Sequence, residues 1–286
     1  MLVDFHAHIF PSAVVADRDY FLQEDPSFAE LYADPDASLA TVDDLIASMD
    51  EAGIDVSVAL NFGWESPRLC VATNDYIMEA VARHPKRLVG FGAVALADGE
   101  AAAREAERCA KGGLRGLGEL RPDREHADIG DAATMAPLAA AARENDLLLL
   151  FHASEPVGHR YPGKGSATPD MLLDFITSFS GLRIVLAHWG GGLPFYALMP
   201  EIASTLGSVY FDTAAWSLLY RPQVFDVVMA LVGDDHVLFG TDYPLLSQRG
   251  QLRHVQRLGL RPEAETRILG GNAVRLLRLA EGCASG

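Results

Sequence analysis

Residues 147–152 read Leu-Leu-Leu-Leu-Phe-His, five large apolar side chains closed by a histidine. A run that short and that uniformly apolar reads as a strand buried on both faces, the habit of parallel strands; a strand with one wet face alternates. Working outward, the pattern returns as Arg-Ile-Val-Leu-Ala-His at 183–188 and as His-Val-Leu-Phe at 236–239. Eight candidate strands follow: 2–6, 55–61, 88–95, 114–120, 147–152, 183–188, 208–213 and 236–241. Helical patterns accompany them at 41–52, 74–83, 100–111, 131–144, 169–179, 193–205, 222–231 and 247–258. The first is the clearest: Thr41 caps it, Leu45, Ile46 and Met49 recur at helical spacing, and Gly53 stops it. Strand and helix alternating eight times predict an α/β chain closed as a (β/α)8 TIM barrel, one domain over residues 1–286. An open doubly wound sheet is the alternative, and eight even units argue against it.

Composition narrows the partners. Of 286 residues, 49% are hydrophobic and 22% charged, too apolar for a disordered chain. Thirty-nine acids against 23 bases leave a net charge of −16, the wrong sign for a surface that tracks phosphates. Nucleic acid and anionic membranes are therefore excluded as partners. No apolar run approaches the 18 or so residues of a membrane span. The opening Met-Leu-Val-Asp-Phe-His-Ala-His-Ile-Phe lacks the features of a secretory signal, so a cytoplasmic protein is expected. Cys70, Cys109 and Cys283 are widely spaced and form no CxxC, which reads as reduced packing residues. Two connections are long, 11–40 with seven acids and one base, and 154–167; such loops are lids or binding loops. The stretch 262–279 reads as two short helices, with Asn272 capping the second.

Chemistry gathers where the strands end. The first runs into His6-Ala7-His8, and residues two apart on a strand share a face, so both imidazoles reach one point. Glu119 stands near the end of the fourth, His152 and His188 at the ends of the fifth and sixth, and Asp242 after the eighth. The C-terminal ends of barrel strands form one face. Each residue alone has a plain structural explanation. An HxH pair can be solvated, a strand-end histidine can be a hydrogen-bonded core residue, and Asp242 can open a turn before Tyr243-Pro244. Glu119 can pair with Arg115 or Arg121. Their placement at one mouth points instead to a metal site. Two other matches fail on context: Gly158–Gly165 has glycine where a P-loop needs Ser or Thr, and residues 90–95 lie within a strand, where no dinucleotide fingerprint works. Of the remaining histidines (His84, His126, His159, His236 and His254), only His159 stands in a loop that can visit the mouth.

Four motifs, Asp-Phe-His-Ala-His at 4–8 and the stretches 147–153, 183–191 and 237–244, together with Ile-Leu-Gly-Gly-Asn-Ala-Val-Arg-Leu-Leu at 268–277, span essentially the whole chain. In that order they resemble the amidohydrolase superfamily, specifically its amidohydrolase-2 group of TIM-barrel metal-dependent hydrolases and decarboxylases. The resemblance implies that His6, His8 and His152 ligate metal, that Asp242 ligates or moves a proton, and that His188 acts beside the metal. There are departures. The carboxylated lysine of many binuclear members has no counterpart in residues 113–122; Glu119 stands there, similar to the bridging glutamate of TatD-type nucleases. One zinc is favoured over two, with manganese, iron or cobalt able to substitute.

The first expectation for function is hydrolysis of an amide, ester or lactone. A metal-activated water attacks, Asp242 takes its proton and His188 steadies the developing oxyanion. The second is a lyase, decarboxylase or hydratase, acting on an unsaturated carboxylic acid with the same residues. A metal-binding scaffold without chemistry is the third. A small-molecule substrate is expected, with Arg121, Arg160 and Lys164 available to hold a carboxylate and Trp189 beside His188 as a further contact. Assembly into a homo-oligomer is left open.

Overall fold

Each apolar run becomes a strand, and each strand lies parallel to the next one in sequence. The computed structural model describes residues 1–122 and 129–279. Its strands are β1 (Val3–His8), β2 (Val56–Leu60), β3 (Leu88–Gly92), β4 (Gly116–Leu120), β5 (Leu148–Phe151), β6 (Ile184–Leu186), β7 (Val209–Asp212) and β8 (Val237–Leu238). The order β1 to β8 has no crossover. Three backbone bonds draw the last segment against β1: Phe5 N to Phe239 O (2.7 Å), Asp242 N to His6 O (2.9 Å) and His8 N to Tyr243 O (2.6 Å). The result is a nearly closed barrel.

Two buried layers explain why the strands read as unbroken apolar runs. Val3, Phe5, Val58, Leu60, Leu148, Leu150 and Val185 pack together inside the barrel, where the C-terminal helix adds Leu276 and Leu277. Their neighbours Leu149, Phe151, Ile184 and Leu186 face the surrounding helices. Alternate residues thus point to opposite faces, and neither face is wet. The register slips twice, between Asp4 and Ala7 on β1 and between Leu117 and Leu120 on β4. Such irregularities re-aim side chains. His6 and Glu119 lie within these two slips.

Helices fill the connections. The first long loop holds α1 (Ser12–Ala16), α2 (Arg18–Glu24) and α3 (Pro26–Tyr32). The next helix, α4 (Val42–Ala52), has the expected Thr41 cap, made reciprocal by Asp44, and ends at Gly53. Beyond it come α5 (Pro67–Arg83), α6 (Gly99–Lys111), α7 (Ala132–Glu144) and α8 (Pro169–Ser178). The ring is completed by α9 (Pro200–Thr205), α10 (Trp216–Leu219), α11 (Val224–Val232), α12 (Gln248–Gln256), α13 (Pro262–Thr266) and α14 (Asn272–Leu277).

Several boundaries differ from expectation, each for a local reason. Pro67 starts α5 early, because a proline suits the first helical position. The helix expected over 193–205 forms only as α9 from Pro200, and a left-handed run with φ between 55° and 91° from His188 through Gly192 precedes the segment. Asn272 is not a cap. It is buried as the first residue of α14, and its amide donates to Asp234 O (2.7 Å) and Val237 O (2.8 Å). The first long loop is pinned by Asp25, whose carboxylate accepts from Phe28 N at the start of α3 and from Glu65 N and Ser66 N after β2. Phe10, Phe28, Phe62 and Trp64 pack beneath it. Cys70 and Cys109 are buried thiols that donate to Trp64 O (3.5 Å) and Glu105 Oε1 (3.7 Å), whereas Cys283 and His126 lie outside the described residues. Among the described residues no helix is long and apolar enough to cross a membrane.

Candidate metal centre

The strand ends bring His6, His8, Glu119, His152, His188 and Asp242 together at one mouth of the barrel. His6 is fully buried, and its Nδ1 faces Asp212 Oδ2 at 2.8 Å. Asp212 also accepts from His188 N and Ala214 N, both at 3.0 Å, so this carboxylate aims one histidine ring and anchors the backbone of another. That anchoring offsets a cost. His188 and Asp242 both take left-handed backbone angles, φ 55° and 65°, a conformation that costs roughly 1–3 kcal/mol for a residue with a side chain. Asp242 is held by its own N–H on His6 O.

With Nδ1 of His6 turned to Asp212, its Nε2 is the ring nitrogen left facing the mouth. That atom lies 3.1 Å from His8 Nε2, and Asp242 Oδ1 lies 3.6 Å and 3.7 Å from the two nitrogens. A point equidistant from these three atoms is about 2.0 Å from each, the length of a zinc–nitrogen or zinc–oxygen bond. Glu119 Oε2 stands 3.8 Å from His8 Nε2. His6, His8 and Glu119 form one triad of donor atoms within 4.8 Å of one another, and Glu119, His152 and His188 form a second. Together they make a His/Glu metal site.

In the second triad both rings face one carboxylate oxygen. Glu119 Oε1 faces His152 Nδ1 at 2.9 Å and His188 Nε2 at 3.1 Å. His152 Nε2 then faces Ser154 Oγ (3.0 Å), and His188 Nδ1 donates to Ala214 O (3.1 Å). Electrostatics follow this division. Burial pulls His188 down, but the Glu119 hydrogen bond and the Asp242 charge prevail and raise it from 6.5 to about 10. Burial opposes His6 in the same way, and Asp212, with Asp242 and Glu119, lifts it to about 9. Burial and the neighbouring His6 push His8 down to about 4. Burial, then the charge of Arg121, lowers His152. Burial alone raises Glu119, yet His152 and His188 hold it well below the usual carboxylate range.

The remaining candidates divide sharply. Arg121 is 2% exposed; its Nη2 donates to Gly163 O at 2.7 Å and its Nε has no partner among the described residues. Lys164 is occupied by the loop carbonyls of Val157 (2.6 Å) and His159 (3.1 Å). Arg160 is exposed, as is His159, whose ring lies 5.4 Å from that of Tyr161 and tilted 51° to it. Trp189 corrects an expectation: it is fully buried with its ring edge-on to Phe225, so it packs the core and offers substrate no surface. Asp212 and Ser154 were not found from the sequence. Asp212 left a signal, a carboxylate near the end of the seventh apolar run; Ser154 left none.

A parallel barrel with imidazoles and carboxylates converging at the C-terminal strand ends defines a metal-dependent enzyme. The amidohydrolase family model matches residues 3–279, and the chain belongs to that family. Among curated relatives, a gamma-resorcylate decarboxylase from Polaromonas sp. (strain JS666 / ATCC BAA-500) is 25% identical over 72% of this chain and 75% of its own length. A 2-amino-3-carboxymuconate-6-semialdehyde decarboxylase from Dictyostelium discoideum is 25% identical over 86% of this chain and 77% of its own. A solved 5-carboxyvanillate decarboxylase from Novosphingobium aromaticivorans DSM 12444, complexed with manganese and 4-hydroxy-3-methoxy-5-nitrobenzoic acid, superposes with a TM-score of 0.81. It is 19% identical and covers 98% of this chain and 96% of its own. These relatives overturn the expectation of hydrolysis, for they are decarboxylases. The ligand motifs did not separate the two reactions, because both ask the same residues to gather charge and move a proton.

Proposed function

We propose that the protein is a metal-dependent, non-oxidative decarboxylase of a small phenolic or otherwise unsaturated carboxylic acid. The observation that carries this reading is Arg121. It is a buried guanidinium at the end of β4 with no carboxylate within 4 Å among the described residues, and its unpartnered Nε sits two residues from Glu119. A buried cation is stable when an anion meets it. In a protein of net charge −16, a substrate carboxylate is a natural occupant.

His6, His8 and Asp242 would hold one divalent ion with Glu119 alongside, and His152 supports Glu119 from its far oxygen. Two imidazoles and carboxylates suit manganese or zinc, and the manganese in the solved relative favours the former. The ion, when bound, supplies positive charge that gathers the substrate's oxygens. Arg121 orients the carboxylate. Asp242, which takes up a proton from solvent on the carboxylate oxygen that does not face His6 and His8, delivers it to the carbon that bears the substrate carboxylate; the bond from that carbon to the carboxylate carbon then breaks, its electron pair restores the unsaturated system, and CO2 leaves. His188, protonated and fixed between Ala214 O and Glu119, steadies negative charge that builds on the substrate.

The test is turnover in D2O by the manganese-loaded protein on a panel of hydroxybenzoates and unsaturated acids. Released CO2 and a product with one deuterium at the former carboxyl carbon are expected. No CO2 from any acid of the panel would overturn the reading.

A further inference from the structure

Among the described residues Arg121 is buried but held by little, and what holds it comes from two loops distant in sequence. Its stem crosses Gly63, where an added Cβ would lie 2.8 Å from Arg121 Cγ. Its head donates through Nη2 to Gly163 O. Gly163 donates its own N–H to Glu30 Oε1 at 3.2 Å. Leu31 closes the remaining side, with Cδ2 2.5 Å from where a Cβ on Gly163 would stand. Glu30 and Leu31 belong to α3 in the first loop, Gly163 to the fifth. A line of contacts therefore runs across the mouth from α3 through one glycine to the end of β4.

Gly163 has φ +88°, open to glycine and strained for other residues. That angle lets one residue turn its N–H toward Glu30 and its carbonyl toward Arg121. The carbonyl fixes one corner of the guanidinium and leaves Nε free for a carboxylate. Fixing a long side chain before the ligand arrives removes part of the ordering cost of binding.

We propose that Glu30 and Gly163 are positioning residues for Arg121, forming a latch in which seating of α3 and binding of a substrate carboxylate favour each other. The coupling is reciprocal, as linkage requires. It rests on the reading of Arg121 as the carboxylate-binding group, and the experiment separates the two.

The probes are 2,6-dihydroxybenzoate and resorcinol, which lacks only the carboxylate, mixed with the manganese-loaded full-length protein by stopped flow so that binding is read before the acid is decarboxylated to resorcinol. The ratio of the two Kd values reads the carboxylate's contribution. Arg121→Gln should collapse the ratio towards one. Glu30→Ala and Gly163→Ala should lower it roughly 3- to 10-fold, the size of one hydrogen bond's net contribution, with resorcinol binding unchanged. Glu30→Gln keeps an acceptor oxygen in place and should restore the ratio. Hydrogen exchange at the Gly163 amide, which needs no ligand, should accelerate in Glu30→Ala and not in Glu30→Gln. A Glu30→Ala ratio equal to wild type, with Arg121→Gln still collapsed, overturns the latch and leaves the Arg121 reading intact. Exchange at Gly163 that Glu30→Ala does not change also overturns it. A wild-type protein that binds the acid no better than resorcinol, or an Arg121→Gln ratio equal to wild type, overturns the Arg121 reading and the latch with it.

Discussion

The two halves of the metal centre are made of the same residue types and behave differently. On the β1 and β8 side, His6, His8 and Asp242 present donor atoms 3.1 to 3.7 Å apart, aimed at a common point. On the β4, β5 and β6 side, Glu119, His152 and His188 stand 2.9 to 3.1 Å apart with ring nitrogens on carboxylate oxygen. In the first half the donor atoms face a shared point; in the second the two rings face one carboxylate oxygen, and both groups of donors are close enough to hold a cation. Residue type therefore does not decide the role. The direction of each ring does, and this is set by what its other nitrogen meets: Asp212 for His6, Ala214 O for His188.

Removing the first half should have the largest effect. The double variant His6→Ala/His8→Ala deletes two of the three atoms that share that point, so bound metal, read by elemental analysis, should fall to background and turnover with it. Full occupancy in that variant would move the ion to the Glu119 side. Asp242→Asn is the next step down. It keeps the two imidazoles and the shape of the third donor, so metal should largely remain. Turnover should fall about 10²-fold or more, the scale of a lost general acid–base group.

Glu119→Gln probes the other half through pH. The raised His188 pKa belongs to the folded protein, so its stabilisation is full below 6.5 and is lost as pH rises towards about 10. Metal-free wild type should therefore lose thermal stability across that window. Glu119→Gln removes the main support of the charged ring, so the slope should shrink. An unchanged slope would show that Asp242 and Asp212 hold the charge without Glu119.

The barrel was legible because its strands are buried on both faces, which writes them as runs such as 147–151 that no other local structure explains as simply. The site was legible where side chains sit at strand ends: His6, His8, His152 and His188 all project where the period-2 pattern and the barrel face place them. What was lost depends on contacts no local pattern encodes. Trp189 follows a catalytic-type histidine yet turns into the core, because the backbone is left-handed there. Asn272 looked like a cap and is instead a buried bridge to Asp234 and Val237. Asp212 was passed over, though its partners His6 and His188 were both found.

The basic residues expected at the mouth give the smallest predicted effects and the sharpest contrast. Arg121, Arg160 and Lys164 were equivalent in sequence: three cations on loops of the catalytic face of an acidic protein. Burial separates them. Lys164 already satisfies two loop carbonyls, and its Nζ lies 4.0 Å from Glu155 Oε2, so its charge is spent within the fifth loop. Arg160 is exposed, where water screens it and an ion pair is worth at most about 1 kcal/mol. Arg160→Ala and Lys164→Ala should each change KM for an acidic substrate by at most about 5-fold with kcat unmoved. Arg121→Ala should raise KM by 10-fold or more, because a buried, charge-assisted hydrogen bond is worth about 1.5–3 kcal/mol. A large KM effect at Arg160 with none at Arg121 would invert this ranking, and would mean that the fifth loop folds down over the substrate.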